Sequence, residues 1–188
     1  MKRSYYTILF ILSLLLSCNS NKRVIRIISD SMYPAIHSGD YIVLDTNVKT
    51  LDYGDIVGYS LKADEYREAY NDVFRIVGLP GDSIAIKDYV CTVNGIRNQH
   101  KFLGYKNSKK EYEEILPNSL VIHTSYFDVY KVDGQEYGQD PIKIPDNHYF
   151  LLGDCRDLSI DSRYFGTVPK EEILGKVIKI IEGDREEY

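Results

Sequence analysis

The chain has 188 residues, with 23 Lys plus Arg against 28 Asp plus Glu and a formal net charge of −5; 44% of residues are hydrophobic and 27% charged. That balance describes a folded globular body and excludes intrinsic disorder, a collagen-like chain and a disulfide scaffold. The acidic excess argues against nucleic acid as a partner, because such binders normally present a basic face. Seventeen Tyr with no Trp point to many half-wet strands, where a tyrosine buries its ring and keeps its hydroxyl in water.

Lys2 and Arg3 precede an almost unbroken apolar run over 5–16, and Leu15-Leu16-Ser17-Cys18 leads into the polar stretch Asn19-Ser20-Asn21-Lys22. The run falls short of the about 20 residues a membrane-spanning helix needs, and it suits the core of a signal peptide. Small Ser17 before Cys18 resembles the lipobox of bacterial lipoproteins. That resemblance implies a removable signal peptide over 1–17, lipidation of Cys18 and a linker over 18–23. The other reading is a short uncleaved anchor with an incidental cysteine. Either way the body is expected in the bacterial cell envelope, outside the cytoplasm and tethered to a membrane. Its acidic charge would not draw it to anionic headgroups, so the lipid would have to hold it.

Short runs recur through the body. Residues 24–28, 41–44, 55–59, 73–77, 83–86, 120–123, 127–132, 148–152 and 176–181 read as strands. Turn signals separate them: Ser38-Gly39-Asp40, Tyr53-Gly54-Asp55, Leu79-Pro80-Gly81-Asp82 and Asn94-Gly95. Asn-Gly between strand-like runs marks a hairpin, since a type I′ turn needs positive φ twice. Two helices are expected, two turns over 109–116 and one turn over 170–174 after Pro169. The charges Lys109-Lys110-Glu111 and Glu113-Glu114 then read as a solvated helix face. The fold class is all-β, with a core over 24–96 and 144–182, a more polar, Tyr-rich inserted subdomain at 97–143 and a frayed tail at 183–188. Spacing does not decide whether Cys91 and Cys155 are bonded. His37, His100, His123 and His148 lack ligand spacing, so no metal and no cofactor is expected.

Four segments carry a resemblance. They are Ser29-Asp30-Ser31-Met32-Tyr33-Pro34-Ala35 followed by Gly39-Asp40, then Gly54-Asp55-Ile56-Val57, then Phe74-Arg75-Ile76-Val77-Gly78-Leu79-Pro80-Gly81-Asp82, and the block from Gly153-Asp154-Cys155-Arg156-Asp157 through Ser159, Asp161, Ser162 and Arg163 to Gly166. In this order they resemble bacterial type I signal peptidases, membrane-bound serine proteases that remove leader peptides from exported proteins. The resemblance implies an antiparallel β-sheet catalytic core and substrates cut after small-x-small residues. It maps the nucleophile to Ser31. A serine hydroxyl needs a neighbouring base, which in the family is a neutral Lys amine, its pKa lowered by burial. The oxyanion would be held by the Ser31 N–H and the Ser29 hydroxyl. Ser159 maps to the position that orients the Lys, while Asp154, Asp161 and Arg163 would tie loops beneath the site, with Arg75 as a partner. Asp154, Asp157 and Asp161 could also suggest calcium, but Arg156 and Arg163 among them favour ion pairs. The self-cleaving repressor peptidases also use a Ser–Lys dyad, yet they lack the block around Arg156 and are set aside.

One position departs from the pattern. Phe74 stands where the family has its Lys, and the following Arg75 to Asp82 fix the register. The nearest lysines, Lys62 and Lys87, lie twelve and thirteen positions away, too far along a strand rising about 3.3 Å per residue. Losing a general base typically costs about 10²–10⁴ in rate. Asp30 also stands where the family often has Gly, and Ala35 replaces Thr. Asp30 would face away from Ser31 by strand alternation, which leaves His37, a remote Lys or a partner chain as sources of a base. Two expectations follow. One is a membrane-tethered leader peptidase with an unusual base; the other is an inactive homologue that binds signal peptides or serves an active peptidase as a scaffold. Phe74→Lys is expected to create or greatly raise cleavage.

Overall fold

The computed structural model describes residues 21–61, 70–106, 108–127 and 140–183. The apolar start with Cys18, Lys62, most of 127–132 and nearly all of the tail lie outside them. Among the described residues no helix is long and apolar enough to cross a membrane.

Among the described residues fourteen strands form three sheets. The largest contains β1 (Lys22–Arg26), β2 (Tyr41–Asp45), β3 (Ile56–Leu61), β4 (Tyr70–Gly78), β12 (His148–Leu152), β13 (Val168–Pro169) and β14 (Ile173–Ile181), in the order β1-β2-β14-β3-β4-β12-β13. A second sheet joins β5 (Ser83–Lys87), β6 (Val90–Val93), β7 (Ile96–Arg97) and β11 (Ile142–Lys143); the third joins β8 (Gln99–Lys106), β9 (Lys109–Ile115) and β10 (Val121–Phe127). The strand-to-strand pairings are antiparallel, as the family resemblance implies. The Asn94–Gly95 turn joins β6 to β7 with φ of 51° and 81°, the two positive angles that its sequence signals.

Strand β4 has both faces covered, because successive side chains leave a strand on opposite sides. Val73 packs with Ile27, Met32, Ile36, Ile42 and Leu44 on one face. Phe74 and Ile76 pack with Val57, Tyr59, Tyr149, Leu151 and Val168 on the other. A further cluster, including Val77, Ile84, Cys91, Leu116, Ile122 and Phe150, seats the two smaller sheets against the large one.

Both helix expectations need correction. Residues 109–115 form β9, paired to β8 and β10, rather than a helix over 109–116. Lys and Glu favour helices locally, but here their tertiary partners prevail. Glu114 accepts from Arg156 at 2.5 Å and from Asn98 at 2.8 Å, and Lys109 lies 3.6 Å from the centre of the Tyr33 ring. After Pro169 only Lys170–Glu172 turn, as 3-10 helix, and Ile173 already begins β14. Among the described residues the one α-helix, α1 (Ser162–Phe165), carries no helix signal recognised in the sequence; Asp161 caps it by accepting from the Arg163 N–H at 3.2 Å.

Arg156 and Glu114 are 1% and 0% exposed at their side chains. Removing one member of such a pair strands the other charge. Arg156→Met is expected to lower unfolding free energy by about 3–5 kcal/mol in chemical denaturation, whereas Lys101→Met, in an exposed pair with Glu113, should change it by less than about 1 kcal/mol.

Candidate active site

The segment after β1 is closed at both ends, by Ile27 N–H on the Asp40 carbonyl at 2.8 Å and Gly39 N–H on the Ile27 carbonyl at 2.9 Å. Within it, Tyr33 N–H bonds the Asp30 carbonyl and Ile36 N–H the Met32 carbonyl, each at 3.0 Å. Met32 and Ile36 are fully buried and anchor this turn to the core. Ser31 sits on it, 4% exposed.

The block following β12 grips the same turn. The Ser31 carbonyl accepts from the Cys155 N–H at 2.9 Å. A Cβ on Gly153 would stand 2.6 Å from that carbonyl and 2.2 Å from Ser159 Oγ, so only glycine lets the three meet. Asp154 takes two bonds from Arg75, 2.8 Å from Nε and 2.5 Å from Nη2, while Arg75 also donates to the Gly54 carbonyl at 2.8 Å. Asp161 accepts from Gly153 N–H at 3.0 Å and from Arg163 Nε at 2.7 Å. Thus Arg75 meets Asp154, and Asp161 meets Arg163. Arg156 turns away to Glu114.

Ser29 and Ser31 come together, Oγ to Oγ 3.1 Å. Both hydroxyls donate toward one acceptor that the sequence reading passed over: Asp72 Oδ1, 3.2 Å from Ser31 and 3.4 Å from Ser29. The Val73 N–H, 2.8 Å away, orients the same oxygen. Burial pushes the Asp72 carboxyl above its ordinary value, against the opposing pull of the bonds from Val73, Ser31 and Ser29. A signal was available, since Asp72 precedes Phe74 by two residues and shares its strand face, about 6.6 Å along.

The other expected site residues are placed as follows. Phe74 is fully buried among Tyr59 and Phe165, with ring centroids 6.3 and 5.9 Å away. The Ser159 hydroxyl is buried and has no hydrogen-bond partner among the described residues. Asp30 accepts from the Ser38 N–H at 3.0 Å and lies 3.9 Å from Lys109 Nζ. His37 stacks edge-on against Tyr33, 4.9 Å between centroids. Lys87 is exposed on β5. Cys91 and Cys155 are free thiols, each pushed up to about 12 by burial. Beside the serines opens a cleft of about 180 Å³, lined by Ile25, Ile28, Val73 and Leu174 together with Ser29 and Asp72.

A family model described as signal peptidase, peptidase S26, matches residues 2–181. The chain is 33% identical over 153 residues to signal peptidase I S of Bacillus subtilis, covering 78% of this chain and 69% of that one. It is 31% identical over 155 residues to a probable signal peptidase I-2 of Synechocystis, covering 79% of this chain and 57% of the relative's length. A solved signal peptidase I from Enterococcus faecalis V583 aligns at 24% identity and a TM-score of 0.40, over 69% of this chain and 98% of that one. The chain belongs to the peptidase S26 signal peptidase family.

An unpaired buried hydroxyl is a standing cost to the fold. Ser159→Ala is therefore expected to raise stability by about 1 kcal/mol, measured by denaturant midpoint at constant slope. A loss of stability would show that Ser159 has a partner.

Proposed function

We propose that this chain is a membrane-tethered serine endopeptidase that removes leader peptides from exported proteins after small-x-small residues. Ser31 is the nucleophile and the Ser29 hydroxyl, with the Ser31 N–H, holds the oxyanion. The observation that carries this reading is the pairing of the two hydroxyls, 3.1 Å apart, at the edge of an apolar cleft. An extended leader peptide would lie along β1 and β4 and seat its small side chains in that cleft. Arg75, Asp154, Asp161 and Arg163 support the turn rather than touch substrate. The core over 24–96 and 144–182 acts outside the cytoplasm, with 97–143 inserted into it and a lipid on Cys18, after loss of 1–17, as the tether. The chemistry is that of side-chain hydroxyls and a proton acceptor, and it calls for no cofactor.

One observation favours a second reading. Phe74 is a fully buried core residue, and the Ser159 hydroxyl has no hydrogen-bond partner among the described residues, as expected for an impaired homologue that binds signal peptides or scaffolds an active peptidase. Incubation of the full chain in detergent with an Ala-x-Ala leader peptide separates the two. Cleavage abolished by Ser31→Ala is expected; binding without cleavage by either form would establish the second reading. A lysine introduced by Phe74→Lys would meet the Asp72 carboxylate on the same face and stay charged. The sequence-based expectation that Phe74→Lys alone raises cleavage is therefore revised: the introduced amine is expected to do so only when combined with Asp72→Asn.

A further inference from the structure

We propose that Asp72 is the general base of this site, taking the place of the absent lysine; the inference rests on Ser31 being the nucleophile. A general base must stand within about 2.6–3.2 Å of the proton it removes. Asp72 Oδ1 meets that condition at 3.2 Å from Ser31 Oγ, and the Val73 N–H holds it in place. Neither base weighed near Ser31 in the sequence is so placed: Asp30 is engaged by the Ser38 N–H, and the His37 ring packs on Tyr33.

The proton inventory closes without a co-reactant. Ser31 Oγ forms a bond to the scissile carbonyl carbon as its proton passes to Asp72, and the carbonyl π pair moves onto oxygen beside the Ser29 hydroxyl. Collapse of that oxyanion breaks the C–N bond, and the Asp72 carboxylic acid delivers the proton to the departing amine. Water then attacks the Ser31 ester, giving its proton to Asp72. Asp72 returns the proton to Ser31 Oγ as the ester bond breaks and the acid product leaves.

Only the carboxylate can accept the proton, so the rate falls as pH drops through the Asp72 titration. That titration lies above the ordinary carboxylate value of 3.8, principally because the group is buried. The titratable groups around it are Tyr59, directly opposite on β3 and bonded to Glu172 at 3.3 Å, and Arg26 in the cleft, while Asp30, between the two serines in sequence, is engaged by the Ser38 N–H. Burial, rather than any of these charges, is the largest cause of the rise. An acid limb displaced upward from the ordinary carboxylate range follows, whereas a lysine base would place the limb on the alkaline side of neutral.

The test follows acetylation of Ser31 by p-nitrophenyl acetate, located by peptide mass, for the full chain in detergent between acid and alkaline pH. It does not depend on leader peptides being substrates. Ser31 acetylation with the acid limb is expected, slowed about 10²–10⁴-fold in Asp72→Asn and partly retained in Asp72→Glu. Undiminished acetylation in Asp72→Asn, an alkaline limb, or no acetylation of Ser31 would each overturn the proposal. Should Asp72→Asn fail to melt cooperatively, the wild-type pH profile decides alone. Leader-peptide cleavage is measured in parallel. Acetylation that depends on Asp72 without leader cleavage would overturn the substrate reading and leave the base standing. Cleavage that survives Asp72→Asn would do the reverse.

Discussion

The buried pair between Arg75 and Asp154 is the contact on which the site depends. Arg75 belongs to β4, Asp154 to the block after β12, and the third acceptor, the Gly54 carbonyl, to the turn entering β3. One guanidinium thus joins three segments that are remote in sequence, using the planar fork that suits a carboxylate. It fixes where β4 runs relative to the block that grips the Ser31 carbonyl. A lost Arg75 would leave Asp154 buried and unpaired, so the arrangement has little room to slide.

With β4 held in this way, alternation along the strand decides the chemistry. Val73 goes to the core beneath the Ser31 turn, and Phe74 goes to the opposite core beside Tyr59 and Phe165. Asp72, at the end of the same strand, reaches back to both serine hydroxyls. A buried phenyl ring at 74 brings packing and no proton acceptor. A half-buried carboxylate at 72 brings a proton acceptor whose desolvation makes it a better base than an exposed Asp. The Ser159 hydroxyl, packed against Gly153, has no hydrogen-bond partner among the described residues.

Much of this is legible in the sequence. The strands around 41–44, 73–77 and 148–152 stood out because their apolar residues are locally continuous, and Asn94–Gly95 because its backbone demand is local too. Ser29, Ser31, Ser159, Arg75 and Asp154 were picked out by motif, since each sits in a segment with a distinctive order of residues. The segment 109–116 was misread because its Lys and Glu residues favour a helix in isolation. Their partners, Arg156, Asn98 and the Tyr33 ring, come from distant segments. Asp72 was missed for a related reason: with the lysine position fixed at 74, nothing local showed that a carboxylate two residues away would reach the serines.

The most direct test of the account is the titration of the Asp72 carboxyl itself, followed by carbon-13 NMR of aspartate-labelled protein in the wild type and in Ser31→Ala. The structure places a donated hydrogen bond from Ser31 on that carboxylate, which favours its charged form. The account predicts a titration above the ordinary aspartate value that moves higher still when the Ser31 hydroxyl is removed. A titration at the ordinary value that Ser31→Ala leaves unchanged would contradict it.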